Sequence, residues 1–416
     1  MEKSSQVQSK KRQAYFLIFI SWLVYTSSYL GKVNYAANIT QIIDFYGITK
    51  AQAGVVSTFF FFAYGAGQVV NGLLCKKYNI KWMVFISLIV SASINFAVAV
   101  SNSFTMIKWL WLINGFTLSI LWPTLIRLLS ETLPQEALAT SSVAMGTTVA
   151  MGTLTIYGLS SVYVAFDKFK LAFYTASFVV IIVALIWLLV FNKAVNMAKD
   201  EEIREIKINP EALKQEKADK KEKKLIFAAI YVLCFYAIGI NLIKDGLTTW
   251  VPAILKEEFF VSDSLSILLT LFLPILAIFG NAFALNIHKK IPDYVSHAAT
   301  VFATIAVIIG IIIGCLSFKF VALMLVGLVA ANFLASSLNS LVTGIFPLFM
   351  RGKVNSGLFA GILNGFCYVG SALSSYGLGA IADNFGWTAV FITLGIFCAL
   401  TVVVWTGYNL YKKKVS

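Results

Sequence analysis

The chain has 416 residues, 59% of them hydrophobic and only 12% charged, with a mean hydropathy of +0.82. Soluble domains carry about a quarter charged residues, so an aqueous enzyme architecture is excluded and a polytopic membrane protein is expected. A net charge of +14 would suit nucleic acid if it were gathered on a polar surface, but its distribution along the chain assigns it elsewhere.

Apolar runs long enough to span a bilayer fall at 14–38, 52–74, 82–100, 104–126, 138–162 and 169–192, then at 225–255, 264–285, 297–316, 319–348, 354–382 and 385–411. The expected fold class is an all-α membrane protein with twelve transmembrane helices. No small-residue cleavage site follows the first apolar run, so it is read as a retained span and not as a signal peptide. With the N-terminus in the cytoplasm, basic residues concentrate on that side: Lys10, Lys11 and Arg12, then Lys76, Lys77 and Lys81, Lys289 and Lys290, Arg351 and Lys353, and Lys412, Lys413 and Lys414. The opposite side holds scattered lysines such as Lys50, Lys108, Lys256 and Lys319. The positive-inside rule then places both termini in the cytoplasm, in a multi-pass protein of the cytoplasmic (inner) membrane. The charge is topological, and the expected surroundings are a lipid bilayer, with no nucleic acid partner.

The one long polar stretch runs from 193 to 224 and mixes both signs of charge. It divides the chain into a first six-helix half (1–192), a solvated linker (193–224) and a second half (225–416). The five cysteines are scattered singly, without metal-ligand or disulfide spacing. No cofactor and no metal are expected.

Two lysines interrupt the apolar runs at matching places. Lys32 follows Arg12, and Lys244 follows Lys224, by the same 20 residues. A cation inside a span costs roughly 2.5–3.5 kcal/mol or more, so it normally faces a polar cavity. Snorkelling to the far interface is the competing reading, since 20 helical residues rise about 30 Å, yet both runs continue well past the lysine. Two lysines so placed suggest a central site for a small anion, between two pseudo-symmetric halves of the kind that make up the major facilitator fold. Asp245 is the one acid well inside an apolar run, while Asp44, Glu131 and Asp383 sit at run ends. Asp245 is an ion-pair partner for Lys244 or a proton-coupling group. Interior polar residues Tyr29, Asn34, Tyr35, Tyr64, Gln68, Trp122, Thr147, Asn241, Asn332, Asn339, Asn364 and Tyr368 are candidates to line the cavity.

The stretch Tyr29-Leu30-Gly31-Lys32-Val33-Asn34-Tyr35 resembles the first span of the organophosphate:phosphate antiporters, whose pattern is Tyr-Leu-x-Arg-x-Asn-aromatic. Lys244-Asp245-Gly246, with Trp250 and Pro252, resembles their seventh span. Ala63-Tyr64-Gly65, Trp122-Pro123, Gly370-Ser371 and Phe385-Gly386-Trp387 extend the likeness along most of the chain. The resemblance implies the major facilitator fold, a monomer, and exchange of a phosphorylated metabolite for inorganic phosphate by alternating access. It implies substrate contacts from Lys32 and Lys244 and favours Tyr64, Asn364 and Tyr368 among the interior polar residues; Gln68, Tyr29, Asn34, Tyr35 and Trp122 complete the candidate site on their interior positions.

The sequence departs from that pattern in type-changing ways. Lysine stands for both family arginines and Gln68 for a lysine. Met145-Gly146-Thr147-Thr148 occupies the region of a histidine, and Lys76 stands where the loop after span two has an aspartate. A lysine keeps the charge of an arginine but not its planar fork. Two other readings therefore stand beside antiport: a proton- or sodium-coupled symporter of sugar acids or other organic carboxylates, and a transporter-like sensor of organophosphates. No nucleophile, metal or glycine-loop motif points to an enzyme.

Overall fold

The computed structural model describes residues 2–74, 77–133, 135–198, 220–346 and 356–415. Most of the charged linker, together with Cys75, Lys76, Arg351 and Lys353, lies outside them. All the regular structure described is helical.

The first half runs through Glu2–Ala37, Lys50–Leu74, Ile80–Val100, Phe104–Thr132, Gln135–Ala165 and Leu171–Ala198. The second runs through Lys220–Phe259, the bent pair Asp263–Ala277 and Gly280–Lys290, then Tyr294–Phe318, Val321–Ile345 and Ser356–Val415. The last of these is two spans, not one. At about 1.5 Å per residue its 60 residues would extend far beyond a ~30 Å hydrocarbon core. Its neighbours show the reversal. Ser371, Ser374 and Trp387 meet Asn241, Trp250 and Glu257 in ascending order, and Thr401 then returns to Tyr236. Gly386 makes the turn at φ 76°, a conformation that only glycine adopts cheaply. Among the described residues the count is therefore twelve spans, as the apolar runs predict. Spans 1–12 below follow this order.

Prolines explain several other irregularities. A proline lacks the N–H that would bond the carbonyl four residues back, and its ring collides with that carbonyl. Pro123 faces Ser119 in this way, where span 4 is interrupted between Leu118 and Leu121. Pro274 faces Thr270, beside the interruption of span 8 at Leu271, while the 46° bend of that span follows Ala277. Pro252 sits inside span 7 and leaves the Thr248 carbonyl without its helical partner. The hydroxyl of Tyr157, from the other half, donates to that carbonyl at 3.0 Å.

Burial separates central spans from peripheral ones. The apolar windows of spans 1 and 7 are 72% and 67% buried, against 39% for spans 6 and 9. The halves meet chiefly through span 2 against the span 11 segment and span 5 against span 8. Close packing needs small residues there: a Cβ on Gly54 would collide with the Ser375 carbonyl, and one on Gly379 would lie 2.8 Å from the Lys50 carbonyl.

Candidate functional site

A cavity of about 400 Å³ lies between the halves, lined from spans 1, 2, 4, 5, 7, 8, 10 and 11. Among the described residues, spans 3, 6, 9 and 12 contribute nothing to it. Its lining follows helical periodicity. Tyr25, Tyr29, Lys32 and Ala36 form one face of span 1, Asn241, Lys244, Asp245 and Thr248 one face of span 7, and Asn332, Ser336, Asn339 and Thr343 one face of span 10. Both predicted lysines line this cavity, so the cavity-facing reading holds and the snorkelling one does not.

The two cations have different neighbours. Lys32 Nζ lies over aromatic rings: 4.0 Å from the Tyr64 centroid, 4.8 Å from Tyr29, 5.7 Å from Phe60 and 5.9 Å from Tyr368. Among the described residues no carboxylate is within ion-pair distance of it. A desolvated cation over a ring gains up to about 2 kcal/mol and keeps its full charge. Lys244 instead pairs with Asp245 at 3.5 Å. The Asp245 carboxylate also accepts a hydrogen bond from Ser371 Oγ at 2.5 Å, and Ser371 accepts one from Asn241 Nδ2 at 3.0 Å. The Lys244 carbonyl accepts from Asn332 and Thr248, which fixes the helix beneath the cation.

Of the other predicted residues, Tyr29, Tyr35, Gln68, Trp122, Asn364 and Tyr368 line the cavity. Asn364 Nδ2 donates to Gln68 Oε1 at 2.6 Å, a direct link between the halves. Three expectations of direct lining are corrected. Asn34 is fully buried behind span 1, its amide donating to Asn95 and its oxygen accepting from the Tyr35 N–H. Tyr64 is covered by Phe60 and Tyr368 and meets the Tyr25 hydroxyl at 3.3 Å, so it acts through Lys32 from beneath. Thr147 is used to hold Trp22 at 3.0 Å. The span-1 motif is thus half site and half scaffold. The Gly31 carbonyl accepts from both Asn95 and Asn114, and a Cβ at Gly31 would lie 2.7 Å from the Asn95 amide nitrogen.

Tyr25, Phe60, Tyr157 and Ser371 were not singled out for the site. Tyr25 was findable, one turn before Tyr29 on the same face, as was Ser371 on the face of Asn364 and Tyr368. Nothing local distinguishes Phe60 in its run of four phenylalanines.

The face opposite the chain termini is closed. Lys50 pairs with Glu257 at 3.1 Å and Asp383 at 3.7 Å, and Lys256 pairs with Asp44 at 2.6 Å. Asp44 and Lys256 are 212 positions apart, the same separation as Lys32 and Lys244. Equivalent positions of the two halves thus carry opposite charges and meet across the axis. Asp383 also accepts from the Lys50 and Ala51 backbone N–H groups at 3.1 and 2.7 Å, so an acid of one half caps the helix start of span 2 in the other. Ser161 and Ser264 join spans 5 and 8 on that face. Toward the terminal face the cavity reaches Gly146 and Thr343.

Twelve spans in two halves, around a polar cavity sealed on one face, define a solute transporter and not an enzyme. The chain belongs to the Major Facilitator Superfamily, whose family model matches residues 17–359. It is 21% identical to a probable hexose phosphate transport protein of Chlamydia trachomatis, over 95% of this chain and 91% of that protein. It is 22% identical to the glycerol-3-phosphate transporter of Bacillus subtilis, over 94% and 90%. A shorter match, 25% identical over 27% of this chain and 26% of that protein, is to the membrane sensor protein UhpC of Salmonella typhimurium. These relatives match the organophosphate group that the motifs resemble. Among solved structures, an inward-facing, occupied bacterial homologue of the human lysosomal transporter Spinster superposes with a TM-score of 0.75 at 13% identity, covering 95% of this chain and 96% of that one. It supports the fold.

Proposed function

We propose that the protein exchanges a phosphorylated small metabolite, of sugar phosphate or glycerol phosphate type, for inorganic phosphate by alternating access. The observation that carries this reading is the cation at Lys32, which has no carboxylate within ion-pair distance among the described residues, beside a second lysine in a cavity whose polar lining, Asp245 apart, is hydroxyls, amides and aromatic faces. Those groups suit a polyhydroxylated anion. The names of the full-length relatives support the same substrate class.

The charge arrangement also supports exchange. Occluding an empty cavity would strand the Lys32 charge in a low-dielectric bundle, which is costly. A bound anion neutralises it and lowers the barrier to switching. The halves correspond to 1–192 and 225–416, joined by the 193–224 linker, and the monomer is the transporting unit. The bias of basic residues supports termini in the cytoplasm, so the sealed face is the outer one.

The test is uptake of labelled phosphate by proteoliposomes loaded with phosphate or left empty. Uptake only into loaded vesicles, competed by sugar phosphates or glycerol phosphate, is the expected result. No phosphate flux from a folded protein would overturn it.

One observation favours a second reading. Asp245 pairs with Lys244 at 3.5 Å, leaving one net positive charge, which suits a carboxylate symported with protons or sodium. Uptake driven by an ion gradient into empty vesicles would select it. Specific binding without flux would select the sensor reading.

A further inference from the structure

Away from the cavity, one corner of the terminal face combines shape and chemistry that transport does not use. Between the start of span 7 and the end of span 12 lies a groove of about 750 Å³, lined by Lys224, Phe227, Tyr231, Gly407, Tyr408 and Tyr411 among others. Gly407 helps open it, since a Cβ there would meet nothing within 4 Å. Phe227, Tyr231 and Tyr411 are exposed on this flank. An aromatic surface of this kind at the end of two spans faces lipid, and tyrosine prefers the headgroup level of a bilayer.

The groove is polarised along the membrane normal. Tyr231 follows Lys224 by about two helical turns, so the cation sits about 10 Å nearer the terminal end than that phenol. Lys413 and Lys414 end the other wall. Lys412 is already engaged by Asp293 at 2.8 Å. Among the described residues, neither Lys224 nor the hydroxyls of Tyr231, Tyr408 and Tyr411 have a hydrogen-bond partner. Lys224 and Tyr411 toward the terminal end, with the aromatic and aliphatic surface of Phe227, Tyr231 and Val232 deeper, match one amphiphile.

We propose that this groove binds an anionic phospholipid, its phosphate held by Lys224 and the Tyr411 hydroxyl at the terminal end and its chains laid along Phe227, Tyr231 and Val232. Charge complementarity selects this occupant. A zwitterionic lipid would bring its own cation toward the lysines, and a second copy of this chain packed by two-fold symmetry would set lysine against lysine. Basic pockets between spans are a recurrent place for acidic headgroups.

The test is the thermal midpoint of the purified full-length protein in detergent with added phosphatidylglycerol, phosphatidylcholine or inorganic phosphate, for wild type, Lys224→Glu and Gly407→Trp. Phosphatidylglycerol is expected to raise the wild-type midpoint by a few degrees through linkage. Phosphatidylcholine should not, and both variants should lose the response. Lys224→Glu removes the cation, while Gly407→Trp fills the groove at an open position and leaves the charge in place. Retention of the full phosphatidylglycerol effect by both variants overturns the site. An equal effect from phosphatidylcholine overturns the anionic headgroup. An inorganic phosphate effect lost in both variants means that the groove takes a soluble anion. A wild-type dimer converted to monomer by Gly407→Trp means that a second copy occupies it. Either of these last two results also refutes the lipid.

Discussion

Cations at the rim of the molecule and cations at its centre are treated in opposite ways. At the rim four lysines come with acids: Lys50 with Glu257 and Asp383, Lys256 with Asp44 and Asp263, Lys319 with Glu258, Lys412 with Asp293. At the centre Lys32 lies over ring faces with no carboxylate within ion-pair distance among the described residues, and Lys244 has a longer pair with Asp245. A paired cation is satisfied and can hold one conformation. A cation held by aromatic faces remains charged and needs an anion from outside. On the proposed function, the difference fits conformational control at the rim and ligand binding at the centre.

The comparison breaks most sharply at Lys32. Lys32→Ala leaves the Lys244–Asp245 pair closed on itself and no free positive charge in the cavity. A charge-assisted hydrogen bond is worth up to about 3 kcal/mol, so exchange should fall on the order of 100-fold in the proteoliposome assay. Lys32→Arg should retain substantial activity, because a guanidinium also stacks on Tyr64 and Tyr29. Equal loss in Ala and Arg would mean that packing, and not charge, is what Lys32 supplies.

Lys244→Ala should cost nearly as much, for a different reason. It leaves Asp245 as an unpaired carboxylate facing the anion. The double variant Lys244→Ala/Asp245→Asn should therefore recover roughly tenfold, about 1.4 kcal/mol, over Lys244→Ala alone. A double variant no better than the single one would show that Asp245 does not oppose the substrate.

This asymmetry between the lysines marks the limit of what the residues alone convey. Span number, the pseudo-symmetric lysines and the acids at run ends are legible because hydropathy and charge are local properties of the chain. Lys32 and Lys244 look equivalent by spacing. Their difference arises in space, from Tyr64 and Phe60 on span 2, Tyr368 on span 11, and Ser371 holding Asp245. Asn34 shows the converse error: its place in the motif suggests ligand contact, but it lies on the far face of the helix from Tyr29 and Lys32 and bonds span 3. The role of Pro252 was likewise hidden until the freed Thr248 carbonyl met Tyr157.

The rim side of the comparison is tested at Asp383, which both pairs with Lys50 and caps span 2. Asp383→Asn removes the charge from that helix start, a contribution of about 1 kcal/mol. The halves should then separate more readily on that face. A cysteine replacing Ser57 in the cavity should react severalfold faster with an impermeant thiol reagent added from that side, at ~1 kcal/mol of shifted equilibrium. An unchanged rate would remove Asp383 from the seal.

The smallest effect is expected at Asp293, a rim acid that has no part in the seal. It precedes span 9, where burial raises its pKa but the bonds from Lys412 and from Ser296 outweigh burial and hold it below the usual carboxylate range. A depressed folded-state value stabilises the fold above the unfolded carboxylate pKa, about 3.9, and that contribution is lost as pH falls through the lower folded value. Asp293→Asn should therefore lower the thermal midpoint by a degree or two at neutral pH, since the pair is partly exposed and screened. The gap from wild type should narrow in acid, while phosphate exchange in proteoliposomes stays unchanged. An exchange defect in this variant would mean that rim pairs also tune the centre, and the division of labour between paired and unpaired cations would fail.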